Sequence, residues 1–204
     1  MLANPKIVVL MPLLSCSQKQ QIDLLSIRNQ DKVRSMMFTS REISLKEHLF
    51  WLSQLAADLR TTVLVILDAA GSVLGAISLV QSGSSKSECN WGMYIDTSLH
   101  GLGLGATVEY HLVKHVFSDT DIEKLTCEVI SGNSLVLELH NKFGFENNGF
   151  RLEKDPSTGD TRRVHQLVLR REAWLRTESS FSKKYQRVFD KYNLSWRLDS
   201  APST

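Results

Sequence analysis

Residues 91–117, WGMYIDTSLHGLGLGATVEYHLVKHVF, read as a strand, a glycine turn and a helix. Residues 91–96 are apolar and rich in aromatics, which suits a buried strand. Residues 97–99 form a short exit. Gly101, Gly103 and Gly105 then fall two apart and open a helix, in which Leu104, Val108, Leu112 and Val116 make one apolar row at helical spacing. Alternating glycines let a backbone approach a ligand that any Cβ would hold off. The helix behind them offers unpaired N–H groups and the positive end of a dipole. Together they make a cradle for a pyrophosphate. The cradle is not a P-loop, because no Gly-Lys-Ser/Thr follows. It also misses the dinucleotide fingerprint, which places two residues before its last glycine. A tight strand-to-helix turn is the other reading of these glycines taken alone.

The chain has 204 residues, enough for one domain with a short appendage, and its 42% hydrophobic content fills a sizeable core. Acidic and basic residues are mixed along it and the net charge is +2, so no nucleic-acid stripe stands out. Cys16, Cys89 and Cys127 are scattered, with no CxxC pair and no metal-ligand spacing to a histidine. No metal is expected. Cys127 alternates with Leu125 and Val129, which reads as a buried thiol. This cysteine usage suits a reducing, cytoplasmic compartment. Residues 6–14 are apolar but short, contain Pro12 and lack a cleavage site, so they read as a first strand and not a signal peptide. No apolar run reaches the roughly 20 residues of a membrane span.

Outward from the central stretch, the pattern predicts strands over 6–14, 62–67, 73–81, 88–96, 124–130, 145–152 and 162–169. Ser17 caps a first helix through Ile22, Leu24, Leu25 and Ile27. Ser44 and Glu47 form a capping box for a second helix, with Leu45, Leu49, Leu52 and Leu59 as its buried face and His48 and Trp51 beside it. Residues 83–87 read as a Gly/Ser loop. Residues 131–134 turn into a helix over 135–142 that Gly144 ends. Residues 155–160 join the last two strands as a hairpin. Residues 171–192 read as one or two amphipathic helices packed outside a domain spanning 1–170, and the last residues read as frayed. The order β-α-α-β-β-β-α-β-α-β-β gives an α/β class: a mixed sheet with helices on both faces.

His100-Gly101-Leu102-Gly103-Leu104-Gly105, then Asn133 after the next strand, then Lys142-Phe143-Gly144-Phe145 at a helix end, resemble landmarks of the GCN5-related N-acetyltransferase (GNAT) superfamily. That resemblance implies a mostly antiparallel mixed central sheet and acetyl-CoA as co-substrate. In the N-terminal half, Arg28-Asn29 through Val33-Arg34, Met37-Phe38, and Glu47-His48 with Trp51 are similar to acetyltransferases of the pseudaminic-acid pathway. Those act on the 4-amino group of a UDP-linked 4-amino-4,6-dideoxy sugar. The likeness covers about residues 6–174.

The resemblance implies the following roles. Amides from Gly101, Leu102, Gly103, Leu104 and Gly105 meet the pyrophosphate of the coenzyme. His100 stands where arginine or glutamine is usual in the family. The strand end Tyr94-Ile95-Asp96 binds the pantetheine arm, and a backbone N–H near Tyr94 or Ile95 meets the oxyanion. Asn133 either contacts that arm or caps its helix. Glu128 takes the amine proton, directly or through water, and Ser78 relays or contacts the sugar. His140 occupies the position of the family's tyrosine acid toward the leaving thiolate. Arg28 and His48 are candidates for the UDP diphosphate. Met37, Phe38, Trp51 and Tyr94 are candidates for the nucleotide slot. Two other readings stand beside this one: a protein N-terminal acetyltransferase, and a non-catalytic acyl-CoA-binding module. Nucleic acid and membrane are not expected partners. A homo-oligomer is a candidate, because hydrophobics between Trp174 and Trp196 offer a partner surface.

Overall fold

Eight strands form one sheet because β-branched and aliphatic runs alternate sides along them. The computed structural model describes residues 4–82 and 86–198. Residues 83–85 of the expected Gly/Ser loop, and the expected frayed end from 199, lie outside them. The strands are β1 (Lys6–Pro12), β2 (Thr61–Asp68), β3 (Val73–Gln81), β4 (Glu88–Ile95), β5 (Lys124–Ile130), β6 (Glu146–Lys154), β7 (Thr161–Arg170) and β8 (Tyr192–Trp196). Their order is β6-β7-β5-β4-β3-β2-β1-β8. Only β4/β5 and β1/β8 run parallel. The sheet is therefore mixed and mostly antiparallel, as the resemblance implies.

The helices are α1 (Gln18–Arg28), α2 (Asp31–Arg34), α3 (Leu45–Leu55), α4 (Leu104–Asp119), α5 (Ser134–Phe143) and α6 (Arg171–Phe189). They cover both faces, and β2 shows it at residue level. Its Val63, Val65 and Leu67 bury beside Leu24, Leu52 and Leu55 of α1 and α3. Its Leu64 and Ile66 bury on the opposite face with Leu104, Val108 and Leu112 of α4. A strand buried on both faces reads as a continuous apolar run, which is what 63–67 is. The expected α4 row is fully inside.

Both expected helix starts form. Ser17 with Gln20, and Ser44 with Glu47, each close a reciprocal capping box. Gly144 ends α5 at φ +88°.

Three points differ from the sequence reading. The buried face of α3 is His48, Leu52 and Leu55, while Leu45, Leu49 and Leu59 are exposed. Two apolar rows compete on this helix, and packing against α1 and the sheet buries the 48/52/55 row. The residues after 170 continue straight from the sheet, α6 following β7 without a break. Trp174 of α6 is 1% exposed and packs against Phe143 and Tyr110. Finally, the chain then adds β8 beside β1, a strand absent from the reading because Tyr192–Trp196 is short and polar at alternate positions.

One irregularity positions the site. β4 and β5 pair only from Glu88↔Lys124 to Asn90↔Thr126, and beyond that the two strands part. Trp91 and Cys127 are the first residues past the last pair, so they line the apex of a V that opens toward the N-terminus of α4 and the glycine loop.

Candidate active site

The glycine loop is built as a donor cradle. Gly101 (φ +75°) and Gly103 (φ +92°) adopt left-handed backbone, which glycine takes without strain. A Cβ on Gly103 would come within 2.9 Å of Val188 Cγ1, so this position is closed to side chains on packing grounds as well. Gly103 is the N-cap of α4, with no side-chain cap. The helical ladder begins with Thr107 N–H donating to Gly103 O at 3.0 Å. The N–H groups of Leu104, Gly105 and Ala106 therefore precede the ladder. An uncapped 16-residue helix with glycines ahead of it fits a diphosphate.

The residues flanking the cradle have local bonds of their own. Asp96 accepts from the Ser98 hydroxyl and N–H and from Gln30 Nε2, which holds its carboxyl below the usual range and pins the turn between α1 and α2 to the end of β4. Thr97 N–H donates to Gln30 Oε1. The His100 ring folds back, with Nε2 3.3 Å from Ile95 O. Leu102 is partly exposed at the tip of the loop. Asn133 holds the N-cap position of α5 but makes no capping bond, so the plain cap is not its role here.

At the apex of the V, His140 from α5 is buried. Its Nδ1 shares a 2.7 Å hydrogen bond with Oε1 of Glu109, which is 0% exposed on α4. Burial pushes the Glu109 carboxyl up, against the opposing pull of His140. The His140 ring sits edge-on to Trp91, with centroids 5.4 Å apart, and also touches Phe145. Glu109 Oε2 and Trp91 Nε1 are both buried without a partner. Ser78 of β3 pairs with Gly92 of β4, its hydroxyl donating to Gly92 O at 3.5 Å. That spot is left open by the missing side chain of Gly92.

Glu128, next to Cys127 on β5, is gripped by Arg151 of β6 through two bonds of 2.9 and 3.0 Å. Arg151 holds its carboxyl below the usual range. Glu128 is therefore a weaker proton acceptor than a free carboxylate. Arg151 also bonds Glu153 and lies 5.3 Å from the Phe38 ring. Arg162 of β7 donates to the carbonyls of Ser35, Met37 and Phe38 and pairs with buried Asp155 at 2.5 Å. The 35–38 loop is thereby strapped over the β5–β7–β6 side, with the Met36 thioether near Gly132.

Arg28 reaches Thr39 O with Nη2 at 3.0 Å, while its buried Nη1 has no partner. It lies close enough to Tyr94 for the two to influence each other electrostatically. Arg28, Tyr94, Met37 and Phe38 thus belong to one neighbourhood through the 35–40 loop. His48 and Trp51 form a separate pair on α3, with rings 5.4 Å apart. His48 Nε2–H donates to Gln21 O at 2.9 Å, and burial lowers its pKa. In this arrangement the ring is neutral with one nitrogen spent, which does not suit a diphosphate donor.

The sequence reading missed Glu109, Arg151 and Arg162. Glu109 had a signal, since it shares a helical face with Leu112, Val113 and Val116, where a lone carboxylate is out of place. The arginines had none, because the order β5-β7-β6 that brings them to Glu128 and the 35–38 loop is a long-range property. Among the described residues no group of His, Cys, Asp or Glu is arranged to hold a metal ion, and no helix is long and apolar enough to cross a membrane.

An uncapped helix N-terminus behind a glycine loop, beside two diverging parallel strands, is the arrangement that an acyl-CoA-dependent transferase requires. The acetyltransferase (GNAT) domain model matches residues 17–146, and the chain belongs to that family. It is an N-acetyltransferase, and acetyl-CoA fits as its co-substrate. Similar solved structures include the spermidine N-acetyltransferase of Vibrio cholerae in complex with CoA and spermine. That structure has a TM-score of 0.72 at 17% identity, covering 82% of this chain and 98% of that one. A chimeric form of the V. cholerae spermidine N-acetyltransferase gives 0.71 at 15% identity, covering 82% and 98%. At these identities the likeness is one of fold. No curated protein matches the sequence.

Proposed function

We propose that the chain acetylates a primary amine on an anionic small molecule, a UDP-linked 4-amino-4,6-dideoxy sugar of the pseudaminic-acid type. The observation that carries this reading is the charge of the acceptor side. The buried Nη1 of Arg28 has no partner there, and the nearby carboxylates are already engaged by arginines, Glu128 by Arg151 (which Glu153 shares) and Asp155 by Arg162. A polyamine acceptor of the kind the V. cholerae enzyme takes would need free carboxylates instead. Phe38, Met37 and Tyr94 offer apolar surface for the sugar nucleotide, and Trp51 an exposed aromatic edge farther along. His48 would have to release Gln21 to join them, so Arg28 is the residue assigned to the diphosphate.

Acetyl-CoA supplies an activated acyl group as a thioester. The amides of Gly101 and of Gly103–Gly105 hold its diphosphate, that of Leu102 being spent on Leu99 O at 3.3 Å, and the open edge of β4 at Tyr94 and Ile95 lies along its arm. Asn133 donates to that arm. The acceptor amine gives a proton to Glu128 through water, with Ser78 orienting that water. As the C–N bond forms and the C–S bond breaks, His140 protonates the departing sulfur. No covalent enzyme intermediate is involved, and the buried thiols Cys16, Cys89 and Cys127, whose pKa values burial raises, suit bystanders.

The test is release of free thiol from acetyl-CoA with a UDP-4-amino-4,6-dideoxy sugar or with spermidine as acceptor. Turnover of the sugar nucleotide, with a loss of about tenfold or more in kcat/KM for Arg28→Met, is the expected result. Turnover of spermidine alone would overturn the acceptor assignment.

A further inference from the structure

We propose that Glu109 is a positioning residue that makes His140 a proton donor at Nε2. The proposal rests on acetyl transfer and on the role of His140, and not on which amine is the acceptor. The geometry is a buried pair: Glu109 Oε1 to His140 Nδ1 at 2.7 Å, with 0% and 5% of the residues exposed. Everything that packs on the pair is weakly polar or neutral. β4 brings Trp91, residue 145 brings a phenyl ring, and β5 brings Cys127, whose thiol is kept protonated by burial. Glu128, next along β5, is held by Arg151, which it shares with Glu153.

Such surroundings favour a pair with no net charge. Two proton arrangements satisfy that. In one, a carboxylate accepts from an imidazolium; in the other, a carboxylic acid donates to Nδ1 of a neutral ring. In both, Nε2 carries the hydrogen. Only loss of the shared proton, which leaves a buried negative charge, would turn Nε2 into an acceptor. The uncharged pair thus holds two protons, one between Glu109 and Nδ1 and one on Nε2, and aims a donor from the apex of the V, where β4 and β5 part. In transfer, the Nε2 proton goes to sulfur as the C–S bond breaks, Glu109 keeps its bond to Nδ1, and solvent restores the proton to Nε2. Two orphaned polar atoms beside the ring, Glu109 Oε2 and Trp91 Nε1, mark the same spot as built for polar chemistry.

The experiment pairs a spectroscopic reading with kinetics on Glu109→Gln, Glu109→Asp and His140→Gln. In the wild-type protein, nitrogen NMR of ¹⁵N-histidine should show Nε2 of His140 protonated through neutral pH, and this needs no acceptor. Glu109→Gln should cut kcat about tenfold or more with KM for acetyl-CoA within twofold, and change the pH profile of the rate. Glu109→Asp should restore part of kcat. The double variant Glu109→Gln/His140→Gln should lose no more than His140→Gln alone. A wild-type Nε2 without its proton at neutral pH overturns the proposal even if Glu109→Gln fails to fold. A folded Glu109→Gln with a lower Tm but unchanged kcat and pH profile overturns it too, by making Glu109 purely structural.

Discussion

His48 illustrates how one side chain couples two helices to pH. It sits inside the α1–α3 contact, donates to Gln21 O and stays neutral because burial lowers its pKa below the ordinary 6.5. His111 on α4 is lowered the same way, with Lys114 adding to the effect. For such groups the unfolded chain binds more protons than the folded one just below pH 6.5. Stability therefore rises with pH there: the contribution is complete above the unfolded value and is lost as pH falls. The carboxylates held low act in a different window. Asp155, near 2 through Ser40, Ser157 and Arg162, and Glu47, near 2 through Arg41 and Ser44, lose their contributions only below about pH 4. The melting temperature should thus fall between pH 7 and pH 5, and His48→Gln, which can keep the bond to Gln21, should flatten part of that slope. An unchanged slope in the variant would show that His48 is not a source of it.

At the scale of elements, α6 and β8 are supports of the glycine loop. α6 packs over α4, with Tyr110 and Phe189 stacked at 4.3 Å and Tyr110 Oη donating to Glu178 at 2.6 Å. Its C-terminal end delivers Val188 against Gly103, and Thr107 Oγ1 donates to Val188 O at 3.4 Å. Tyr192, opening β8, donates to Leu102 O at 3.4 Å. The last strand pairs with β1 from Lys6↔Tyr192 to Leu10↔Trp196 and covers what would be a bare sheet edge. A chain ending at Asp190 should therefore melt about 5 °C or more below the full chain, aggregate more readily and bind acetyl-CoA more weakly. Calorimetry and titration on the truncated protein check this; equal melting and equal affinity would mean that the loop stands without β8.

Over the whole molecule, a sheet buried on both faces holds two strands together at one end and lets them part at the other, and the proposed chemistry sits where they part. Much of this was legible in residues 91–117. The strand, the loop, the uncapped helix and its apolar row each depend on local spacing, and local spacing is what a sequence displays. The caps at Ser17 and Ser44 were legible for the same reason. The face of α3 was not, because two leucine rows compete on that helix and tertiary packing chose between them. β8 was hidden because its pairing partner is β1, at the far end of the chain. The clamp of Arg151 on Glu128 was hidden because two strands meet only through a third. Gln21's hold on His48 likewise joins two helices whose contact no spacing announces.

The most direct measurement compares acetyl-CoA with S-acetyl-pantetheine, which has the same thioester arm and no diphosphate, by titration calorimetry on the full chain. If the N–H groups at the start of α4 grip the diphosphate, removing it should weaken binding about 100-fold or more, a loss of about 2.7 kcal/mol. Equal affinity for the two thioesters would contradict the account, since the cradle would then hold nothing.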